Sequence, residues 1–185
     1  MAAPYVDVLA HVVLSSDTTT ITISSIPSGY QDMYLIGNFR DSYQSQASFT
    51  WARCSLNNST SNPLSHRSWQ TGTSGAYSGA NYTGHLLMGS CSRSHVNAGN
   101  FFAPTFVSFI NQNAANEYNH NWSVWTGAMW NGDSASNQQL AMTRSGYQGT
   151  ASPQNGEISR IDIWADSGST LKTGSSVTLY GTKSS

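Results

Sequence analysis

Two short segments near the end of the chain alternate apolar and polar residues. Residues 158–164 read Ile-Ser-Arg-Ile-Asp-Ile-Trp, and residues 176–181 read Ser-Val-Thr-Leu-Tyr-Gly, with a Gly/Ser/Thr-rich stretch between them. Alternation with a period of two places one face of a strand in a core and the other in water. We therefore predict that the two segments form a β-hairpin and that the fold closes there.

Similar strand patterns recur along the rest of the chain, with turn residues every ~8–12 positions. The predicted strands cover residues 6–14, 18–26, 33–40, 48–56, 85–89, 101–111 and 121–130. A hairpin turn is predicted at 15–17, and polar surface loops at 57–62, 71–84 and 145–153. No segment has a clear helical period, although residues 134–143 fit a short helix or a strand equally well.

Many short strands without helical periodicity are typical of an all-β sandwich or barrel. We predict a single-domain antiparallel β-sandwich of jelly-roll type covering residues 1–185. Residues 1–5, with Pro4, are a candidate N-terminal arm. In the third strand, Met33, Leu35 and Phe39 are predicted to share one face. Three tryptophans that alternate within predicted strands are assigned to the core: Trp51, Trp122 and Trp164.

The composition is unusual in its low charge. Only 9% of the residues are charged and the net charge is -1, whereas an ordinary soluble domain has about 25% charged residues. A nearly uncharged surface favours association with other surfaces, although a stable secreted-type β domain can have the same composition. The eight basic residues are scattered, so we expect no nucleic-acid partner. No apolar run approaches the ~20 residues of a membrane helix, and no secretory signal pattern is seen.

The sequence offers few groups for chemistry. Cys54 and Cys91 are too few for a disulfide scaffold; they can pair if neighbouring strands bring them together, but buried free thiols are favoured. Cys91 precedes His95 closely, yet no nucleophile elbow surrounds any serine or cysteine. The nine acidic residues are isolated, several of them at predicted turns, and no metal-ligand spacing occurs. We therefore expect no enzyme activity, no metal and no cofactor.

Aromatic residues in or beside the polar stretches are candidates for contact with a partner. Tyrosine and tryptophan are common anchors in protein interfaces, and their rings also stack on sugars. Subunit contact is the first interpretation and glycan binding the second. The candidate interface residues, including Tyr5 from the arm, are Tyr5, Trp69, Tyr77, Tyr82 and Trp130.

Both ends of the chain resemble a group of tailed-bacteriophage virion proteins. The matching segments are Tyr5-Val-Asp-Val-Leu-Ala, then residues 20–35 with the corner Ile26-Pro-Ser-Gly-Tyr-Gln-Asp, then Arg40, and finally Gly174-Ser-Ser-Val-Thr-Leu-Tyr-Gly. Leu56-Asn-Asn and Ser65-His-Arg match the group's middle region more loosely, and Ser59 stands where that group has an acidic residue. The resemblance implies a small β-sandwich structural protein of a phage particle.

Three functions follow from this resemblance and from the aromatic content. The first is a capsid decoration (cement) protein, a homo-oligomer and most simply a trimer, that binds the major capsid protein or other virion proteins. Such a protein is located in the virion, which assembles in the host cytoplasm. The second is a tail or head fibre component that recognises host-surface glycans, and the third is a free carbohydrate-binding module.

Overall fold

A computed structural model describes residues 5–43, 49–58, 64–71, 76–83, 86–93, 102–110, 120–123, 127–129, 139–145, 157–166 and 168–183. Within these residues the chain forms thirteen strands and no helix. In chain order, β1 to β13 are Val6–Val13, Ile21–Ile23, Asp32–Asp41, Phe49–Leu56, Leu64–Thr71, Ala76–Thr83, Leu86–Arg93, Ala103–Ile110, His120–Ser123, Gly127–Met129, Gln139–Ser145, Ile161–Ala165 and Ser176–Thr182.

The described strands form two sheets. The nine-stranded sheet has the order β1-β13-β3-β7-β4-β12-β2, with β8 paired to β3 and β9 paired to β8. The four-stranded sheet has the order β10-β11-β5-β6. All described pairings are antiparallel except that of β3 with β7, which share the two parallel pairs Arg40–Ser92 and Asp41–Arg93. Within the described residues, the prediction of an all-β and mainly antiparallel fold is confirmed.

The predicted hairpins at both ends of the chain are wrong. The strand β13 lies between β1 and β3, whereas β12 lies between β4 and β2. The segment between them instead bridges at Leu171 to Thr18 and to Asp41. The first two strands are likewise separated, since β1 pairs with β13 and β2 with β12. Alternation determines which face of a strand is buried, but it does not determine which strand is its neighbour.

The hydrophobic core combines residues from both ends of the nine-stranded sheet. In β3, Met33, Leu35 and Phe39 are buried while Ile36 is exposed, as the sequence predicts. The inward positions of β2, β4, β8, β12 and β13 join them in one cluster, which includes Ile21, Ile23, Ala52, Cys54, Val107, Phe109, Ile161, Ile163, Val177 and Leu179. Burial of each large aliphatic side chain contributes about 1.5–3 kcal/mol, so this cluster is the main source of stability.

The tryptophan assignment is confirmed at one position and wrong at another. Trp51 is buried, but Trp164 is only half-buried. The inward positions of β12 are taken by Ile161, Ile163 and Ala165, so Trp164 points to the opposite face of the strand. Trp122 lies in β9, but its side chain is outside the described part of the structure, so its assignment to the core stays a prediction.

Several polar segments that the sequence assigns to loops form strands. Most of the predicted loop at 71–84 is β6, which pairs with β5 over its whole length. The ambiguous segment at 134–143 contributes β11, and the predicted strand at 121–130 is divided between β9 and β10 in different sheets. Segments rich in Gly and Ser have low strand propensity by themselves, but pairing with a neighbouring strand overrides it. Apart from Ser145, the predicted loop at 145–153 lies outside the described residues.

Asp17 joins the first connection to the segment that precedes β13. Its carboxylate accepts hydrogen bonds from the Lys172 ammonium (2.5 Å) and from the Thr173 backbone N–H (2.9 Å). These bonds lower the pKa of Asp17 from 3.8 to about 2. A carboxylate whose pKa is lowered by folding stabilises the fold above its unfolded pKa.

We expect the stabilisation by Asp17 to be complete above the unfolded pKa of 3.8 and to disappear as the pH falls to about 2. An Asp17→Asn variant should therefore lose stability at pH 6 but lose progressively less, relative to the native chain, as the pH approaches 2. Urea unfolding of both chains across this range measures the difference. An equal loss at every pH would show that the carboxylate charge does not contribute.

Candidate protein-interaction surface

The outer side of the sheet formed by β1, β13, β3 and β8 presents large apolar side chains to solvent. They are between 41% (Phe106) and 62% (Val8) exposed. We call this surface the outer apolar face and define it by Val6, Val8, Val13, Ile36 and Phe106. Exposed apolar residues are common singly, but a contiguous patch marks an interaction site.

The strand register brings these residues into rows across the sheet. One row is His11–Thr178–Ile36–Phe106, and the next is Val8–Tyr180–Tyr34–Ser108. The rings of Tyr34 and Phe106 stack diagonally between the rows with their centroids 6.1 Å apart. Side chains at such cross-strand positions lie within contact distance, so the apolar side chains of these two rows form one connected group, with Ser108, His11 and Thr178 as polar positions within it.

A bulge in β1 gives this strand its outward valines. The register of β1 against β13 shifts between Val8 and Ala10. A bulge inserts one residue and reverses the side-chain alternation beyond it. Val6 and Val8 therefore point outward before Leu9, and His11 and Val13 point outward after it. The side chains of Leu9, Ala10, Val12 and Leu14 pack against the core.

Contacts on the inner side hold β1 in place. The Tyr30 hydroxyl donates a hydrogen bond to Asp7 Oδ2 (2.8 Å), which raises the pKa of Tyr30. The Tyr30 ring lies against Gly181 of β13, where an added Cβ atom would collide with the ring carbon Cδ1. Only glycine lets the ring approach the backbone this closely. The strand that carries three of the outward valines is therefore anchored through Tyr30.

The outer apolar face is poor in charge. Across the three rows that begin at Val8, His11 and Val13, the outward positions of β1, β13, β3 and β8 hold no Asp, Glu, Lys or Arg, whereas the row that begins at Val6 contains Asp32. With strands about 4.8 Å apart and a rise of about 3.3 Å per residue, these three rows cover about 380 Å² of the sheet, and apolar side chains occupy a little over half of their positions. The largest apolar patch of a monomer is about 300–600 Å² and is often functional. Its chemistry suits a protein surface of similar low charge.

The structure describes four of the five predicted interface residues, and it places them in two regions. Tyr5 is 58% exposed and directly precedes Val6, the first residue of β1. The expectation that Trp69, Tyr77 and Tyr82 lie in or beside loops is wrong, because they lie within β5 and β6 of the four-stranded sheet. Pairing of these two strands draws the polar segment into a ladder. Trp130 lies outside the described residues.

The residues of the outer apolar face were not predicted as a site. Alternation in β3 already places Ile36 opposite the core, so this position could have been found from the sequence. The outward valines of β1 could not, because the bulge at Leu9 breaks the alternation and the segment reads as uniformly apolar.

Both cysteines are free and buried, as the sequence favours. They lie on the neighbouring strands β4 and β7, but Cys54 is opposite Leu86 and Cys91 is opposite Thr50. Burial raises the pKa of both thiols well above the usual range. Since the thiolate is the reactive form, neither cysteine is poised as a nucleophile.

The buried carboxylate of Asp41 is held by hydrogen bonds that support the fold. It accepts hydrogen bonds from the Thr50 hydroxyl and from the Tyr43 backbone N–H, the second at 3.1 Å. These contacts join the end of β3 to the start of β4. Buried polar groups require such partners, and the contacts account for an acidic residue at this position.

Other indications of function are few. Among the described residues, no group of three or more His, Cys, Asp or Glu side chains could hold a metal ion. The same part of the chain contains no helix long and apolar enough to cross a membrane. Comparison with protein-family models, curated proteins and solved structures finds no match. The outer apolar face is therefore the feature from which a function can be argued.

Proposed function

We propose that this chain is a structural protein of a tailed-phage virion, most simply a capsid decoration protein, that binds a neighbouring virion protein through its outer apolar face. The observation that carries the proposal is a sheet with one face in the core and the opposite face apolar and open to solvent. We further propose that the two described sheets belong to one β-sandwich domain of jelly-roll type covering residues 1–185.

The size of the face favours a role in a multivalent assembly. A little over half of the roughly 380 Å² footprint is apolar, and burial of that part at about 25 cal/mol per Å² yields about 5–6 kcal/mol. Association costs about 4–15 kcal/mol in lost freedom of motion, so a single contact is weak. Repetition of the contact by symmetry converts weak binding into a stable attachment. A decoration protein bound at many equivalent positions of a shell uses this effect.

The virion assignment is supported by the resemblance of both ends of the chain to tailed-phage virion proteins. These ends are β1, the corner before β3, and β13, which lie side by side in the sheet. Of the residues that define the outer apolar face, Val6 and Val8 lie in the resembling segments. The proposed partners are the major capsid protein or another virion protein and further copies of the chain, assembled in the host cytoplasm.

An aromatic group on the outer apolar face favours a second candidate function. Tyr34 and Phe106 stack on each other, and Tyr180 is the cross-strand neighbour of Tyr34. Aromatic rings with nearby hydroxyl and amide groups can stack on sugars and bind their hydroxyls. A fibre component that recognises host glycans, or a free carbohydrate-binding module, would use the same surface.

The number of copies per purified phage particle separates these functions. We expect gel densitometry to show hundreds of copies, because a decoration protein follows the symmetry of the shell. A few copies per particle together with binding to host cells would instead identify a fibre component. Absence from particles with binding of the monomer to a glycan array would overturn the virion proposal.

A further inference from the structure

Among the described strands, none pairs with the outer edge of β1. In the described part of the nine-stranded sheet, β1 stands at the end of the strand order and pairs with β13 alone. The Leu14 N–H donates to Ser175 O, and the Gly174 N–H donates to Leu14 O, so the backbone groups of Leu14 point toward the β13 side. Backbone groups alternate along a strand. Those of His11 and Val13 therefore point away from the sheet.

This edge has little protection in its second half. Edge strands are usually blunted by Lys, Pro, bulges, inward charges or short length. The first half of β1 has such devices, namely the bulge at Leu9 and the inward carboxylate of Asp7. The second half, Ala10-His-Val-Val13, has no Lys or Arg and no Pro. An exposed edge of this kind is a template for pairing with another chain.

We propose that two copies of this chain pair edge to edge through Ala10–Leu14, antiparallel about a twofold axis at Val12. This register places His11 of each copy opposite Val13 of the other, so the outward backbone groups of both residues meet. Hydrogen-bonded antiparallel pairs exchange two bonds each, which makes four bonds across the axis. A register centred on His11 would bring the bulge at Leu9 into the pair, and one centred on Val13 would pair His11 with the bend at Ser15.

The low charge of the chain allows a second copy to pair with the edge of β1. The paired segment holds no Asp, Glu, Lys or Arg, and the whole chain has a net charge of -1, so the copies do not repel strongly. Beyond Leu14 the chain bends, and Asp17 is held by Lys172. Pairing would join the two outer apolar faces into one surface. The inference goes beyond the proposed function and does not depend on the virion assignment.

A cysteine at the axis tests this register directly. Val12 would be a non-hydrogen-bonded pair with its own copy, at a Cα separation of about 4.5 Å, which fits a disulfide. We expect Val12→Cys to form a disulfide-linked dimer under mild oxidation. Val8→Cys on the same strand is the matched control, since the two copies of this residue would lie about 26 Å apart. The native cysteines are fully buried and do not compete.

Two further measurements cover the case in which Val12→Cys disturbs the core contact of that side chain. A mixture of His11→Cys and Val13→Cys chains should crosslink faster than either chain alone, because these residues face each other. Val13→Lys should raise the dimer dissociation constant at least about tenfold, while Val13→Thr should leave it nearly unchanged. Sedimentation measures the constant.

The result that overturns the inference is equally specific. Crosslinking of Val12→Cys no faster than that of Val8→Cys, together with no preference in the mixed chains, would exclude the register. A trimer whose size does not change on Val13→Lys would exclude edge pairing and favour the threefold assembly expected from the sequence. Either outcome leaves the virion proposal intact, since the copy number per particle tests it separately.

Discussion

Replacing Leu35 with alanine is expected to lower the free energy of unfolding by about 2–5 kcal/mol, whereas replacing its neighbour Ile36 is expected to lower it by less than about 1 kcal/mol. Leu35 is 0% exposed and lies in the core cluster, but Ile36 is 44% exposed on the outer apolar face. The first change removes buried methyl groups and leaves a cavity. The second removes surface that is already largely in water.

Urea denaturation of the two variants and the native chain measures this difference. The pair is well matched, because both residues lie in the centre of β3 and both lose branched aliphatic groups. Equal losses of stability for the two variants would show that Ile36 is covered within the chain itself. The outer apolar face would then not be open for a partner.

Replacing Ile36 with lysine is expected to reduce incorporation of the chain into phage particles at least about tenfold, which corresponds to about 1.4 kcal/mol of binding free energy per copy. Ile36 lies in the middle of the face, between Thr178 and Phe106. An ammonium group there would be desolvated in the interface without an opposite charge, and such burial is costly. In the free chain the same group stays in water, so folding should be little affected.

The incorporation is measured as copies per particle when host cells supply the variant chain during phage growth. Ser24→Lys is the matched control, because Ser24 is exposed and directly follows β2, which stands at the opposite end of the strand order from β1. A folded Ile36→Lys chain that enters particles as efficiently as the native chain would contradict a role for this face in attachment.

The parts of the fold that the sequence predicts are those set by side-chain alternation within one strand. The bounds of β3, β4 and β8 and the inward set Met33, Leu35 and Phe39 are all close to the prediction. Pairing between strands follows from contacts across the whole chain, and both predicted hairpins fail for that reason. The loop predicted over the residues of β6 is wrong as well, because Gly and Ser favour a loop locally, whereas pairing with β5 makes the segment a strand.

The sequence predicts a surface for contact with other proteins, but its named candidates do not include the residues that define the outer apolar face. Low charge indicates a protein that contacts other surfaces, and Tyr5 lies beside the outer apolar face. The residues of the face come from strands distant in sequence, such as Val8 in β1 and Phe106 in β8, and the sheet order brings them together. A prediction based only on aromatic residue type selects Trp69 and Tyr77, which lie in the four-stranded sheet instead.

Thiol labelling within the assembled particle tests most directly whether this surface is where the protein meets its partner. The Ile36→Cys and Ser24→Cys chains each carry one accessible thiol, since Cys54 and Cys91 are 0% exposed. We predict that Cys at position 36 reacts readily in the free chain and at least about tenfold more slowly in particles, while Cys at position 24 reacts alike in both. Equal labelling of position 36 in the free and assembled states would show that this side of the sheet still faces water there, and the account would be wrong.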